Sequence, residues 1–125
     1  MKQKILIVDD SFYMRTILKN MLSDAGYSIV GEASDGVTAI NMAKETNPDL
    51  VTLDLILPDN TGLDVLKAIK KDNPRIKVVI VSAVGQEAIV KEALNHGAQS
   101  YIVKPFAEDK VIEIINNAVN DTVAA

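Results

Sequence analysis

The chain has 125 residues, nearly half of them hydrophobic and few aromatic, which suits one domain with an aliphatic core. It has no cysteine, which excludes a disulfide scaffold and a thiolate metal site. A net charge of −4 without a basic run or zinc spacing argues against direct nucleic-acid binding, and no apolar stretch is long enough for a signal peptide or a membrane span, so a soluble, cytoplasmic protein with no membrane partner is expected.

Ile5-Leu6-Ile7-Val8 is a continuous apolar run, the pattern of a strand covered on both faces, and it ends in Asp9-Asp10. Ser11 reads as the N-cap of a helix in which Met14, Ile17, Leu18, Met21 and Leu22 recur at helical spacing until Gly26; Met14 and Met21 read as core gap-fillers. Ser28 to Ala33 is a short second strand. Asp35 caps the next helix, with Val37, Ile40 and Ala43 expected on its inner face and Asn47-Pro48 at its end. Leu50 to Leu53 form a third strand that runs into Asp54, followed by a loop marked by Pro58, Asn60 and Gly62. Val65, Leu66 and Ile69 line a third helix, ended by Asn73-Pro74. Val78-Val79-Ile80-Val81 is another doubly buried strand, closed by Ser82. A helix from about Gln86 carries Ile89, Val90, Ala93 and Leu94 and stops at Gly97, with His96 a favourable charge near its C-terminus. Tyr101-Ile102-Val103 is the last strand and delivers Lys104 and Pro105, with Phe106 packing behind them. A final helix turns Val111, Ile114, Ile115 and Ala118 inward, and the tail from Asp121 to Ala125 is expected to fray.

The order is βα five times, which demands a parallel sheet with helices on both faces and right-handed crossovers. No internal boundary or repeat is visible, so residues 1–125 are expected to be a single domain with no output domain. The chemistry lies where the polar residues fall. Strand one ends in Asp9-Asp10, strand three in Asp54, strand four in Ser82 and strand five in Lys104; strand two ends without such a group. In a flavodoxin-like α/β sheet of order 2-1-3-4-5, strands one and three are neighbours and the ligand crevice opens between them. Three converging carboxylates repel one another unless a cation is present, and an all-oxygen set suits Mg2+. A hydroxyl and an ammonium facing that cation make a receptor for a phosphoryl group, with Asp54 as nucleophile.

Asp9-Asp10, Asp54, Ser82-Ala83 and Lys104-Pro105-Phe106, in this combined spacing, resemble the receiver (response regulatory) domain of two-component response regulators over roughly positions 3 to 120. The strand order above is itself taken from flavodoxin and CheY, whose sheets have it. Asp10-Ser11-Phe12-Tyr13-Met14-Arg15 and Ser82-Ala83-Val84-Gly85-Gln86 are most similar to stand-alone chemotaxis regulators of the CheY type. The resemblance implies that Asp54 accepts a phosphoryl group from a histidine kinase (CheA-like) and is not a turnover enzyme. Asp10, Asp54 and the backbone carbonyl of Ile56 would ligate Mg2+, with Asp9 helping through water. Ser82 and Lys104 would hold phosphoryl oxygens, and the Lys104-Pro105 peptide is expected to be cis. Tyr101, on its own an ordinary packing residue, would turn inward as Ser82 moves. That would remodel the surface of helix four, strand five and helix five, which binds a motor switch or adaptor protein. A monomer is expected.

The resemblance further implies that Ile56 and Val84 flank the path of the water that would hydrolyse the acyl phosphate; both are aliphatic here and neither can orient it, so slow decay and a phosphatase partner are expected. A phosphorelay shuttle is the alternative within this class. An Asp-nucleophile, Mg2+-dependent phosphatase of the haloacid dehalogenase type would want a second acid at the position of Ile56. A flavodoxin-like electron carrier would find Asp9-Asp10 repelling the flavin phosphate.

Overall fold

Strand β1 (Lys4–Val8) is buried from Ile5 to Val8 and pairs on one side with β2 (Ser28–Ala33) and on the other with β3 (Leu50–Asp54). The computed structural model describes residues 2–120, so the tail from Asp121 to Ala125 lies outside the described residues. Beyond β3 come β4 (Lys77–Ala83) and β5 (Ser100–Lys104), giving a five-stranded, all-parallel sheet in the order β2-β1-β3-β4-β5. The crossovers are α1 (Phe12–Asp24), α2 (Gly36–Thr46), α3 (Gly62–Asp72) and α4 (Glu87–Asn95), and α5 (Glu108–Asn120) closes the fold. The flavodoxin-like expectation and its strand order hold.

Strand alternation divides the core in two. Leu6, Val8, Val51, Leu53, Val78 and Ile80 face α2, α3 and α4. Ile5, Ile7, Leu50, Val79, Val81 and Ile102 face α1 and α5, meeting Leu18, Leu22, Val111, Ile115 and Ala118. Met14, Met21 and Phe106 pack at the margin of this second layer, as expected. The caps also follow the sequence: Ser11 Oγ accepts from Met14 N at 3.2 Å and Asp35 Oδ1 from Thr38 N at 2.7 Å, each satisfying an N–H that the helix leaves unpaired. His96 is the C-cap residue of α4, and Gly97 beyond it takes the left-handed conformation.

Three expected core positions are corrected. Val37 is exposed, and α2 instead turns Gly36, Ala39 and Ala43 inward. Those small residues bring the helix close to its neighbours: a Cβ on Gly36 would sit 2.9 Å from Asn60 Cβ and from Val65 Cγ2. On α4 only Val90 and Ala93 are buried, while Ile89 and Leu94 on the flanks of that stripe are exposed. A helix with one buried row on the sheet leaves its flanking apolar residues at the edge of contact.

Candidate functional site

The polar residues meet at the carboxyl ends of β1, β3 and β5. One carboxylate oxygen from each of Asp9, Asp10 and Asp54 lies within 4.8 Å of the other two. Lys104 Nζ reaches into the same pit, 3.0 Å from Asp9 Oδ2 and 3.6 Å from Asp54 Oδ2. Asp9 is 1% exposed and Asp54 7%, whereas Asp10 stands at the open mouth. The Lys104-Pro105 peptide is cis.

Each acid is held differently. Asp9 Oδ1 accepts from Ser11 N at 2.9 Å and Oδ2 accepts from Lys104, so both of its oxygens are committed. Asp54 Oδ1 accepts from Ile56 N at 3.1 Å. Burial raises the Asp54 carboxyl above the usual carboxylate range; the Ile56 N–H and the Lys104 ammonium pull it down, the charges of Asp9 and Asp10 push it up, and the net direction is up. For Lys104, burial alone would lower the ammonium, but the hydrogen bond to Asp9 and the charges of Asp54 and Asp9 outweigh it and hold it above the usual lysine range. Burial above all, and the neighbouring acids after it, thus keep Asp54 raised even with Lys104 beside it.

That donor set fits Mg2+: three carboxylates, no nitrogen or sulfur ligand, and one open side for water. The loop beyond Asp54 is built tightly. Gly62 N donates to Leu55 O at 2.7 Å, and a Cβ on Gly62 would fall 2.3 Å from the Asp54 carbonyl oxygen. The Asp59 carboxylate accepts from Gly36 N at 2.7 Å and Val37 N at 3.1 Å at the start of α2, and these bonds hold it below the usual carboxylate range.

Ser82 is buried at the end of β4, next to the pit in the sheet, and lines a cleft of about 190 Å³ between α4 and β5 with Val84, Val90, Leu94, Tyr101 and Val103. Tyr101 is 44% exposed beside that cleft. Ile56 and Val84 both project outward. Sequence reasoning gave no role to Glu32 or Asp59 and named Arg15 and Gln86 only within longer stretches. The Gln86 side chain accepts from Ala83 N at 2.8 Å across the β4–α4 turn. Arg15 joins Glu32 to the Asp9 carbonyl, and these partners lie 17 and 6 positions away, spacings that no local periodicity reveals.

A doubly wound parallel sheet with an acidic pit and one lysine at its carboxyl edge is a receiver-like arrangement, and residues 5–116 match the response regulator receiver domain: the chain belongs to that family. Within it, the chain is similar to chemotaxis regulators. It is 44% identical over 116 residues to the chemotaxis protein CheY of Thermotoga maritima, covering 93% of this chain and 97% of that one. The response regulator domain of Thermotoga maritima CheB superposes with a TM-score of 0.88 at 35% identity, over 97% of this chain and 98% of that one. CheY of Borrelia burgdorferi, solved as a CheX-CheY-BeF3-Mg2+ complex, superposes with a TM-score of 0.86 at 35% identity, over 90% of this chain and 86% of that one.

Proposed function

We propose that this chain is a chemotaxis response regulator of the CheY kind, in which Asp54 takes a phosphoryl group from a CheA-like histidine kinase. The observation that carries the reading is the meeting of Asp54 with Asp9, Asp10 and Lys104 in one pit. An Asp54 oxygen attacks the phosphorus; the O–P bond forms as the N–P bond of the phosphohistidine breaks, and the electron pair stays on the imidazole nitrogen. Lys104 stabilises charge on the transferring group, and Ser82 moves to hold one of its oxygens. Asp10, Asp54 and the Ile56 carbonyl would hold Mg2+, and Asp9, with both oxygens engaged, would act indirectly. When bound, the ion offsets the charge that the acids and the incoming phosphoryl group bring together.

Movement of Ser82 opens room for Tyr101 in the cleft beside it, which biases the α4–β5–α5 surface toward a motor switch or adaptor protein. The protein works in the cytoplasm as a monomer on this reading. Ile56 and Val84 offer no group to orient a hydrolytic water, and a phosphatase partner supplies one. Replacing Ile56 with Asn should speed phosphoryl loss several-fold, as followed by intact mass over time; an unchanged or slower decay would contradict this account.

The decisive experiment is incubation with acetyl phosphate and Mg2+. One added phosphoryl group is expected on the native chain and none on Asp54→Asn. Beryllium fluoride with Mg2+ should also alter the fluorescence of the tyrosines. Uptake by Asp54→Asn equal to the native chain would sink the assignment.

A further inference from the structure

Among the acids of the pit, Asp10 is the one without a fixed hydrogen-bond partner. Every polar group of Asp9 is committed: its N–H donates to Ala33 O at 3.0 Å, its two carboxylate oxygens accept from Ser11 N and Lys104 Nζ, and its carbonyl accepts from Arg15 Nη1 at 2.7 Å. No hydrogen bond among the described residues holds the Asp10 carboxylate. What the structure fixes is its base: the Asp9–Asp10 peptide is a rigid plane whose carbonyl end is gripped by Arg15, and that plane sets the Asp10 Cα from which the carboxylate projects.

Arg15 is itself gripped. Its Nε donates to Glu32 Oε1 at 3.2 Å, its guanidinium carbon lies 5.7 Å from the centre of the Phe12 ring, and its side chain is largely buried. Glu32 sits on β2 opposite Ile7, and its second oxygen is 3.5 Å from Lys19 Nζ. A guanidinium presents donors in a planar fork, so one group can span a carboxylate on β2 and a carbonyl at the end of β1 without swivelling. Ordinary helix packing does not call for a buried arginine on α1. The contact it makes points to the loop that carries the acids.

We propose that Arg15, anchored on Glu32, is a positioning residue that aims Asp10 and thereby sets the Mg2+ affinity of the pit. This rests on the reading of the pit as a Mg2+ site. Outer partners that orient metal ligands contribute about 10–100-fold to metal affinity, and here about tenfold is expected, because Asp10 is only one of the ligands. Simple electrostatics has the opposite sign. Arg15 is a positive charge next to a cation site, so deleting it would tighten Mg2+ if charge alone mattered.

The test is a Mg2+ titration of the full chain at fixed ionic strength, followed by amide NMR shifts, with melting in EDTA alongside. Arg15→Ala should bind Mg2+ about tenfold more weakly. Arg15→Lys keeps the charge and loses the fork, so its several-fold weakening reports geometry alone; it also serves if Arg15→Ala does not fold. Glu32→Gln, which loosens the anchor, should weaken binding in the same direction. Phosphoryl uptake from acetyl phosphate should need more Mg2+ for half-maximal rate in Arg15→Lys, yet reach the native rate at saturation. Native or tighter Mg2+ binding in both arginine variants would overturn the proposal, as would a fall in melting temperature with unchanged affinity. Failure of the native chain to bind Mg2+ would instead overturn the parent reading.

Discussion

Replacing Lys104 with Met separates two roles that the lysine plays at once. The side chain keeps its length and loses its charge. Its Nζ lies 3.0 Å from an oxygen of Asp9, which is 1% exposed, and 3.6 Å from one of Asp54. Removing one partner from a buried ion pair costs about 3–5 kcal/mol, because the remaining charge is stranded. The Lys104 side chain is 24% exposed, so water relieves part of that penalty, and a loss of about 2–3 kcal/mol is expected in EDTA. For a domain of this size that is a fall in melting temperature of roughly 10 °C. Magnesium should act in the opposite sense. With the ammonium gone, the nearest repulsion on a dication is removed, so binding tightens. A tenfold tightening at saturating Mg2+ would restore about 1.4 kcal/mol beyond the native gain. Thermal melts of both chains at pH 7, with EDTA and with a Mg2+ series, read both effects. The reasoning is refuted if Lys104→Met melts at or above the native chain in EDTA, or if Mg2+ raises its melting temperature by less.

The Asp54 carboxyl is raised in the fold by burial, so its contribution to stability is present below the unfolded carboxylate pKa and is lost as pH rises through the folded value. Asp54→Asn should therefore melt above the native chain in EDTA at neutral pH, and melts repeated toward about pH 3 should show the gap closing; a gap that widens on acidification reverses the sign. Thr52 Oγ1 is buried with no hydrogen-bond partner among the described residues, between Ile7 and Val79 on the neighbouring strands. Thr52→Val keeps the shape and removes the stranded hydroxyl, so urea unfolding should show a gain of about 1 kcal/mol, and a loss would mean that the hydroxyl is satisfied. Gly62→Ala would drive a methyl into the Asp54 carbonyl and Leu55 backbone, which cannot yield as a side chain can. It should cost roughly 2–4 kcal/mol in unfolding and reduce phosphoryl uptake even at saturating Mg2+.

What could be read from the residues, and what could not, follows from the range of the interactions. The strands were legible because a doubly covered strand needs an unbroken apolar run, as in Ile5–Val8 and Val78–Val81. Their polar ends were legible because chemistry collects at the carboxyl edge of a parallel sheet, and Asp9, Asp10, Asp54 and Lys104 do converge there. The rotation of α2 was not. Val37, Ile40 and Ala43 fit a helical face nearly as well as Gly36, Ala39 and Ala43, and only the closeness of Asn60 and Val65 selects the small residues. Pattern reading favours the larger apolar side chain, whereas packing here favours the smaller. The contacts of Arg15, Glu32 and Asp59 were missed for another reason. Each is bonded to a group on a different element, so no spacing within its own element marks it.

Helix α4 fully buries only Val90 and Ala93, and its Gln86 cap makes no side-chain bond to the helix's free amides. A segment with two footholds opens at a fraction of the free energy needed to part the sheet beneath it. It can therefore shift without displacing the strands that carry the acids. The fold is a stiff chassis with one loosely bolted panel, and a displacement of the β4–α4 turn by an ångström or so can re-seat the panel while every strand stays in register.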